Sequence, residues 1–491
     1  MKSSRCLLVS RFFQHAEAHP EAVAFFDPDG KPLCTREELT RAALLAVDRL
    51  QKMQLPPRPV VLSLPNGPGL VSELLALRML GHVVALADAT APKAELKRVA
   101  MTLGACGILA SLERLDGGMV LDEAGLGLEP LTPSAVPLPR RAAICKLSSG
   151  STGQPQAFMA SAGQLAADAR QIFKTMGIGR QDRTLAAIPL THSYGLGSCL
   201  MPLLLWGTPL VLPACNLPAA LAHTLAAAKV RHFPAVPAMV RALAALPTLP
   251  SWPELRICLA AGAPLAPKDA AAFAAATGHK VHVFYGSSEC GGIAYDRSQE
   301  AVLEAGAVGT PLEGVQVEVV DEKGKPCPPG EKGRVRVRSK AVVLAAVPPL
   351  PDPSVLTPGR FLTGDLGFFD ERGILHLAGR SSDLVNVAGK KVHPEEVRRV
   401  LEQVPGVVSA VVVGIPDRHR GQVLGAVLAV DGAAAVTVHK VLNFCRTHLA
   451  PYKIPRRILL VPELPTDARG KIPRQELLAL LTGKEGQTRQ V

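Results

Sequence analysis

Ser148-Ser149-Gly150-Ser151-Thr152-Gly153 is a run of six residues carrying only hydroxyls and glycine, and it directly follows the apolar stretch Ala143-Ile144-Cys145-Lys146-Leu147. Glycines let a loop bend and bring its backbone N–H groups close to an anion. Ser and Thr hydroxyls add donors that rotate to suit. Such a loop suits a polyphosphate. The same composition suits a flexible linker. The company decides between them: the apolar stretch reads as a short buried strand feeding the loop, and linkers are rarely so placed. A strand that ends in a phosphate-type loop commits this part of the chain to an α/β arrangement.

Around that feature the chain punctuates itself. Val60-Val61-Leu62-Ser63-Leu64 and Val83-Val84-Ala85-Leu86 read as buried strands, with an amphipathic helix from Leu70 to Leu80 between them. Alanine-rich runs at Pro218–Ala228 and Asp269–Thr277 read as helices. From Val315 the texture changes: Val315, Val317 and Val319, then Val335 and Val337, alternate with polar residues on either side of a Gly- and Pro-rich turn. That pattern predicts a hairpin-like antiparallel β unit. Val347 to Pro358 is Pro-rich and reads as a loop. Beyond Arg380 a compact α+β unit follows, with helical spacing over Glu395–Val404, a strand at Ala410–Val413 and a helix over Arg474–Leu481. The expected fold class is therefore α/β: a large N-terminal domain over 1–380 with an antiparallel β unit, and a small α+β domain over 383–491.

Composition narrows the function classes. A chain of 491 residues with 48% hydrophobic content can bury one large core and a smaller one. Ten cysteines are scattered singly, with no C-x-x-C pair and no His/Cys cluster at zinc spacing, which fits a reducing, cytoplasmic setting. Arg11 interrupts the short N-terminal apolar patch, so no secretory signal is expected. The uncharged stretch Thr184 to Ala228 is broken by Pro202, Gly207 and Pro209, and reads as buried core in place of a transmembrane segment. The net charge is +12, and 383–491, with 16 Lys and Arg against 10 Asp and Glu, carries half of it. No aromatic-interleaved basic patch accompanies that charge, so nucleic acid is not an expected partner. A basic terminal unit is compatible with polyanionic small molecules, and equally with a solvated basic surface.

Further segments follow the loop in a fixed order. They are Leu255-Arg256 to Gly262-Ala263-Pro264-Leu265, Tyr285-Gly286-Ser287-Ser288-Glu289, Thr363-Gly364-Asp365 running on to Gly379-Arg380, Val392-His393-Pro394-Glu395-Glu396-Val397 after Gly389, and Pro465-Thr466-Asp467-Ala468-Arg469-Gly470-Lys471-Ile472. Together they resemble the adenylate-forming, AMP-binding enzymes, closest in motif to acyl- and aryl-CoA synthetases, over nearly the whole chain. The resemblance implies ATP-dependent activation of a carboxylic acid as its acyl-AMP, then transfer to the CoA thiol. Both reactants of the first step are anions, so positioning and positive charge carry the catalysis.

The resemblance also assigns residues. Ser148, Ser149, Gly150, Ser151, Thr152 and Gly153 would hold the β- and γ-phosphates. Lys471 would bridge the α-phosphate and the substrate carboxylate. Glu289 would bind Mg2+, and Ser288 would meet the α-phosphate. Tyr285, after which Gly286 follows, would stack on adenine opposite Gly262, Ala263 and Pro264. Asp365 and Arg380 would take the ribose; an Asp–Arg structural ion pair is the alternative. Pro189 to Gly197 matches the acyl pocket, with His192 and Tyr194 lining it and Gly291, Gly292 and Ala263 as small walls. A lone histidine in an apolar segment also reads as a satisfied core residue. Ser193 stands where amino-acid-activating relatives carry Asp, which argues for an apolar acid, fatty or aryl, with a lean to fatty. Gly389 would let CoA approach, or merely cap a helix. The resemblance implies a multi-sheet N-terminal domain with a distorted antiparallel β unit, a hinge at 381–382 and a mobile C-terminal domain over 383–491.

Two departures stand out. Gln156 replaces the family's usual lysine three residues beyond Gly153, and Ser382 replaces its usual hinge Asp or Lys. They leave open a non-catalytic nucleotide-binding homologue. An acyl-AMP ligase that loads a separate acyl carrier protein is the nearer alternative. A serine hydrolase built on Ser149 or Ser151 lacks the G-x-S-x-G elbow.

Overall fold

A computed structural model describes residues 6–149, 155–300, 304–380, 385–387, 390–392, 394–417, 421–431, 436–449, 451–465 and 474–482. The chain divides into two compact units. One comprises Met1–Val317 with Arg336–Leu362, the other Glu318–Val335 with Thr363–Val491. The expected hinge, 381–382, lies outside the described residues.

The larger unit is built on two sheets. In the first, strands Val23–Phe26, Leu210–Val211, Thr184–Leu185, His232–Ala235, Ile257–Ala260 and Val281–Ser287 are neighbours in that order and run parallel. Antiparallel strands Gly291–Tyr295 and Ala307–Pro311 follow at one side, and Pro32–Thr35 pairs at the other. The parallel strands read as continuous apolar runs because both faces are covered; His232–Ala235 and Ile257–Ala260 are buried at every position. The second sheet has eight strands, ordered Ala345–Val347, Pro155–Ser161, Ala142–Ser149, Val84–Leu86, Val60–Ser63, Gly107–Ser111, Leu126–Pro130 and Met119–Val120.

Helix Pro68–Met79 departs from the amphipathic expectation. Every residue from Leu70 to Leu77 is buried, Ser72 and Glu73 included. It packs on helix Arg36–Gln51 within one apolar cluster that also contains Leu62 and Leu86. Glu73 is tolerated because Arg49 of that neighbouring helix pairs with it; a buried acid without a partner would be costly. Strand Ala142–Ser149 also runs further than its apolar residues predict. Its ladder to Pro155–Ser161 continues through Ser148↔Gln156 and Ser149↔Pro155, since backbone hydrogen bonds do not depend on hydrophobic side chains.

In the second unit, strands Val385–Val387, Lys390–Val392, Val407–Asp417, Gly421–Val430 and Arg457–Val461 form one sheet. Helices Pro394–Leu401 and Val438–His448 contribute Val397, Leu401, Val441, Leu442 and Cys445 to its core. Helix Arg474–Thr482 packs Leu477 and Leu481 against Ile415, Val423 and Val427. The mixed α/β class of the chain, with a large multi-sheet part and a smaller α+β part, is as the sequence predicts. Among the described residues no helix is long and apolar enough to cross a membrane.

Candidate active site

Two β reversals of the larger unit carry residues to which the sequence assigns chemistry. The first joins Ala142–Ser149 to Pro155–Ser161. Ile144 and Cys145 are fully buried, and the strand runs parallel to Val84–Leu86 on its other side. Gly150, Ser151, Thr152 and Gly153 lie outside the described residues, and Ser149 is described by its backbone only. Gln156 is engaged locally: its Nε2 donates to the Pro348 carbonyl at 2.6 Å.

The second reversal joins Val281–Ser287 to Gly291–Tyr295, pairing Gly286 with Gly292 and Ser287 with Gly291. It leaves Ser288, Glu289 and Cys290 at the tip. The tip is held from several directions. Cys290 N donates to Ser287 Oγ at 3.2 Å. Val343 N donates to the Glu289 carbonyl at 2.9 Å. Ser193 Oγ donates to Ser288 Oγ at 2.9 Å, tying this turn to the predicted acyl-pocket segment. Gly291 needs its missing side chain: φ is +73°, and a Cβ would stand 2.2 Å from Asp168 Oδ1. The Glu289 side chain is half-buried and makes no hydrogen bond or ion pair among the described residues.

Tyr285 and Gly262 sit towards and just past the carboxyl ends of two neighbouring strands inside the first sheet. Ala260 and Val283 are partners in adjacent parallel strands, and two residues further along each chain come Gly262 and Tyr285. Ala263 and Pro264 follow in the same loop. Gly262 adopts φ +87°, a left-handed turn that an unbranched backbone tolerates. Tyr285 is 8% exposed. Loops beyond the carboxyl ends of parallel strands are where open α/β sheets bind ligands.

His192 is placed by two residues that sequence reasoning did not assign. Asn66 clamps the preceding segment: its Nδ2 donates to the carbonyls of Ala186 and Ile188 at 3.0 and 2.8 Å, and its Oδ1 accepts from Leu190 N at 2.8 Å. Asp88, just past strand Val84–Leu86, holds His192 Nε2 at 3.0 Å from its Oδ2. The hydrogen bond from His192, with two more from Thr90, keeps the Asp88 carboxyl far below the usual carboxylate range. Tyr194 packs its ring 5.7 Å from that of Phe284. Its buried hydroxyl has no hydrogen-bond partner among the described residues, and burial pushes the phenol upward.

Lys146 and Asp168 are the other residues missed. Lys146 is 2% exposed and Asp168 4%. Burial pulls the lysine down, with the Asp168 carboxylate the largest opposing influence. A charged residue inside an apolar strand was the available signal.

In the second unit, Asp365 and Arg380 are cross-strand partners of Arg360–Phe369 and Leu375–Arg380. Arg380 Nε donates to Asp365 Oδ1 at 3.0 Å, so the ion pair weighed as an alternative is formed. Asp365 N donates to Thr363 Oγ1 at 3.1 Å, which fixes the start of the motif. Ser382, Gly389 and Lys471 lie outside the described residues.

Among the described residues no three His, Cys, Asp or Glu side chains cluster as a ready metal cage. One unpaired carboxylate at a turn, Glu289, is nonetheless the donor set that fits Mg2+ arriving with a nucleotide, since this ion keeps waters and phosphate oxygens as its other ligands.

The sequence profile described as AMP-binding enzyme matches residues 12–345, and that of the AMP-binding enzyme C-terminal domain matches 396–471. The chain belongs to the AMP-binding enzyme family. It is 32% identical to a feruloyl-CoA synthase of Amycolatopsis over 341 residues, 68% of this chain and 69% of that protein. It is 30% identical over 482 residues to a 2-succinylbenzoate–CoA ligase of Geobacillus kaustophilus, 96% of this chain and 98% of that one. Its fold matches the o-succinylbenzoate CoA synthetase of Bacillus subtilis, solved with its acyl-adenylate intermediate, at a TM-score of 0.81 and 25% identity, covering 98% of this chain and 99% of that one.

Proposed function

We propose that this chain is an AMP-forming carboxylate–CoA ligase that uses ATP, Mg2+ and CoA. In the first step a carboxylate oxygen of the acid bonds to the α-phosphorus of ATP, and the bond to pyrophosphate breaks. In the second the CoA thiol attacks the acyl carbon, its proton is lost and AMP leaves. The observation that carries the reading is the Glu289 turn: an unpaired carboxylate beside the Ser193–Ser288 hydroxyl pair, at the end of the strand that presents Tyr285. Mg2+ there would supply positive charge to the phosphates. The hydroxyl-glycine segment 148–153 would cradle those phosphates, and Lys471 would supply the mobile cation between the α-phosphate and the carboxylate. Asp365 and Arg380 would hold the ribose.

The acid is read as apolar or aryl, since Ser193 offers no charge for an α-amino group and Gly291 keeps a wall small. Relatives named for feruloyl, 2-succinylbenzoate, oxalate and sulfoacetate substrates give no preference to a fatty acid. Incubation with ATP, Mg2+, CoA and a panel of aryl, fatty and dicarboxylic acids, read by mass spectrometry, tests the acceptor. An acyl-CoA product is expected for one acid class. Acyl-AMP that accumulates in the presence of CoA, and passes only to a carrier protein, would reject CoA as acceptor.

A further inference from the structure

Helix Ala162–Met176 buries Leu165, Ala166, Ala169 and Ile172 along one stripe, and Asp168 lies within that stripe. An acid there must answer for its burial. Its carboxylate is wedged among three glycines. Oδ1 accepts the Gly292 N–H at 2.8 Å. A Cβ on Gly291 would stand 2.2 Å from Oδ1, and one on Gly197 3.0 Å from Oδ2. Burial pushes the Asp168 carboxyl upward, and Lys146 on the hairpin strand is the largest influence opposing that. Lys146 shares a strand face with Ile144 and Ser148 by the two-residue period. Lys146 is buried and makes no hydrogen bond among the described residues; burial pulls it down, with the Asp168 carboxylate the largest opposing influence. The same helix is anchored at its start by Gln164, whose side chain donates to the Val342 carbonyl next to the residue that holds Glu289.

We infer that Asp168 is a positioning residue for the metal-binding turn: its carboxylate clamps the Gly291–Gly292 backbone and so fixes Glu289. The inference rests on the reading of Glu289 as the Mg2+ ligand. A side chain without an acceptor at position 168 leaves the Gly292 N–H buried and unpaired.

Two neutral double variants separate the clamp from the charge. Lys146→Met with Asp168→Ala removes both. Lys146→Met with Asp168→Asn removes the charges and keeps an acceptor oxygen. Two readouts need no turnover: hydrogen exchange of the Gly292 amide, and the gain in ATP affinity on adding Mg2+, measured by calorimetry. The first variant should speed exchange and cut the Mg2+-dependent gain by about fivefold, the equivalent of one lost hydrogen bond. The second should restore both to within about twofold of the parent, well under the effect of one hydrogen bond. Equal behaviour of the two variants, both folded by circular dichroism, would overturn the inference. If the alanine variant does not fold, Asp168→Glu, which keeps both charges but lengthens the arm, takes its place. It should reduce the Mg2+-dependent gain, and parent-like values would overturn the inference. Glu289→Gln is the control. If it leaves the Mg2+-dependent gain intact, the metal reading itself fails; if it abolishes the gain while the clamp variants do not, only the clamp fails.

Discussion

His232 sits in strand His232–Ala235 with 1% of its surface exposed, and its Nδ1 lies 3.2 Å from Thr184 Oγ1. Burial pulls its pKa to about 3 from 6.5, and Nε2 has no partner among the described residues. The unfolded chain therefore takes a proton near pH 6.5 that the folded chain refuses until about pH 3. Stability from this group is complete above the upper value and falls as pH drops through the window, by up to about 1.4 kcal/mol per pH unit. Urea unfolding of His232→Leu should accordingly show a flatter decline between those limits than the parent. Parallel declines would contradict the assignment. At this scale the sequence was legible where one local feature is written in a contiguous motif: Tyr285 to Gly291 form a single β reversal. Asp88, Asp168 and Lys146 were not legible. Each gains its meaning from a partner on another element, and a single charge within an apolar run carries no mark of that partner.

Helix Ala162–Met176 starts with a capping box. Ser161 Oγ accepts from Gln164 N at 3.2 Å, and Gln164 Oε1 accepts from Ser161 N at 2.9 Å. Ser161→Ala should cost about 1 kcal/mol in chemical denaturation. Its adenylation rate per folded molecule should stay near the parent's, because Asp168 lies two turns along the helix. A loss of activity without a loss of stability would show that the cap itself acts on the site. Elements were largely readable from periodicity, with boundaries off by a few residues: helix Pro394–Leu401 stops before the predicted Val404. The helix Pro68–Met79 misread has a physical cause. Periodicity registers one polar residue as a solvent face, whereas Glu73 faces Arg49 inside the core.

For the whole molecule, the order of the motifs along the chain announced the family, and the paired profiles over 12–345 and 396–471 agree with it. What order could not announce is how segments far apart in sequence meet. Ser193 bonds Ser288, Asp88 bonds His192, and Val343 bonds Glu289 only once both sheets have formed. The identity of the acid is likewise written in such meetings, not in any one motif. The central claim is that the chain joins a carboxylic acid to AMP, with Lys471 supplying the charge. The most direct measurement is acid-dependent exchange of labelled pyrophosphate into ATP, with Lys471→Ala alongside at matched folded concentration. Exchange that requires both the acid and Mg2+, and that nearly vanishes in Lys471→Ala, is the predicted result. No exchange with any acid of the panel, or parent-like exchange in the variant, would contradict the account.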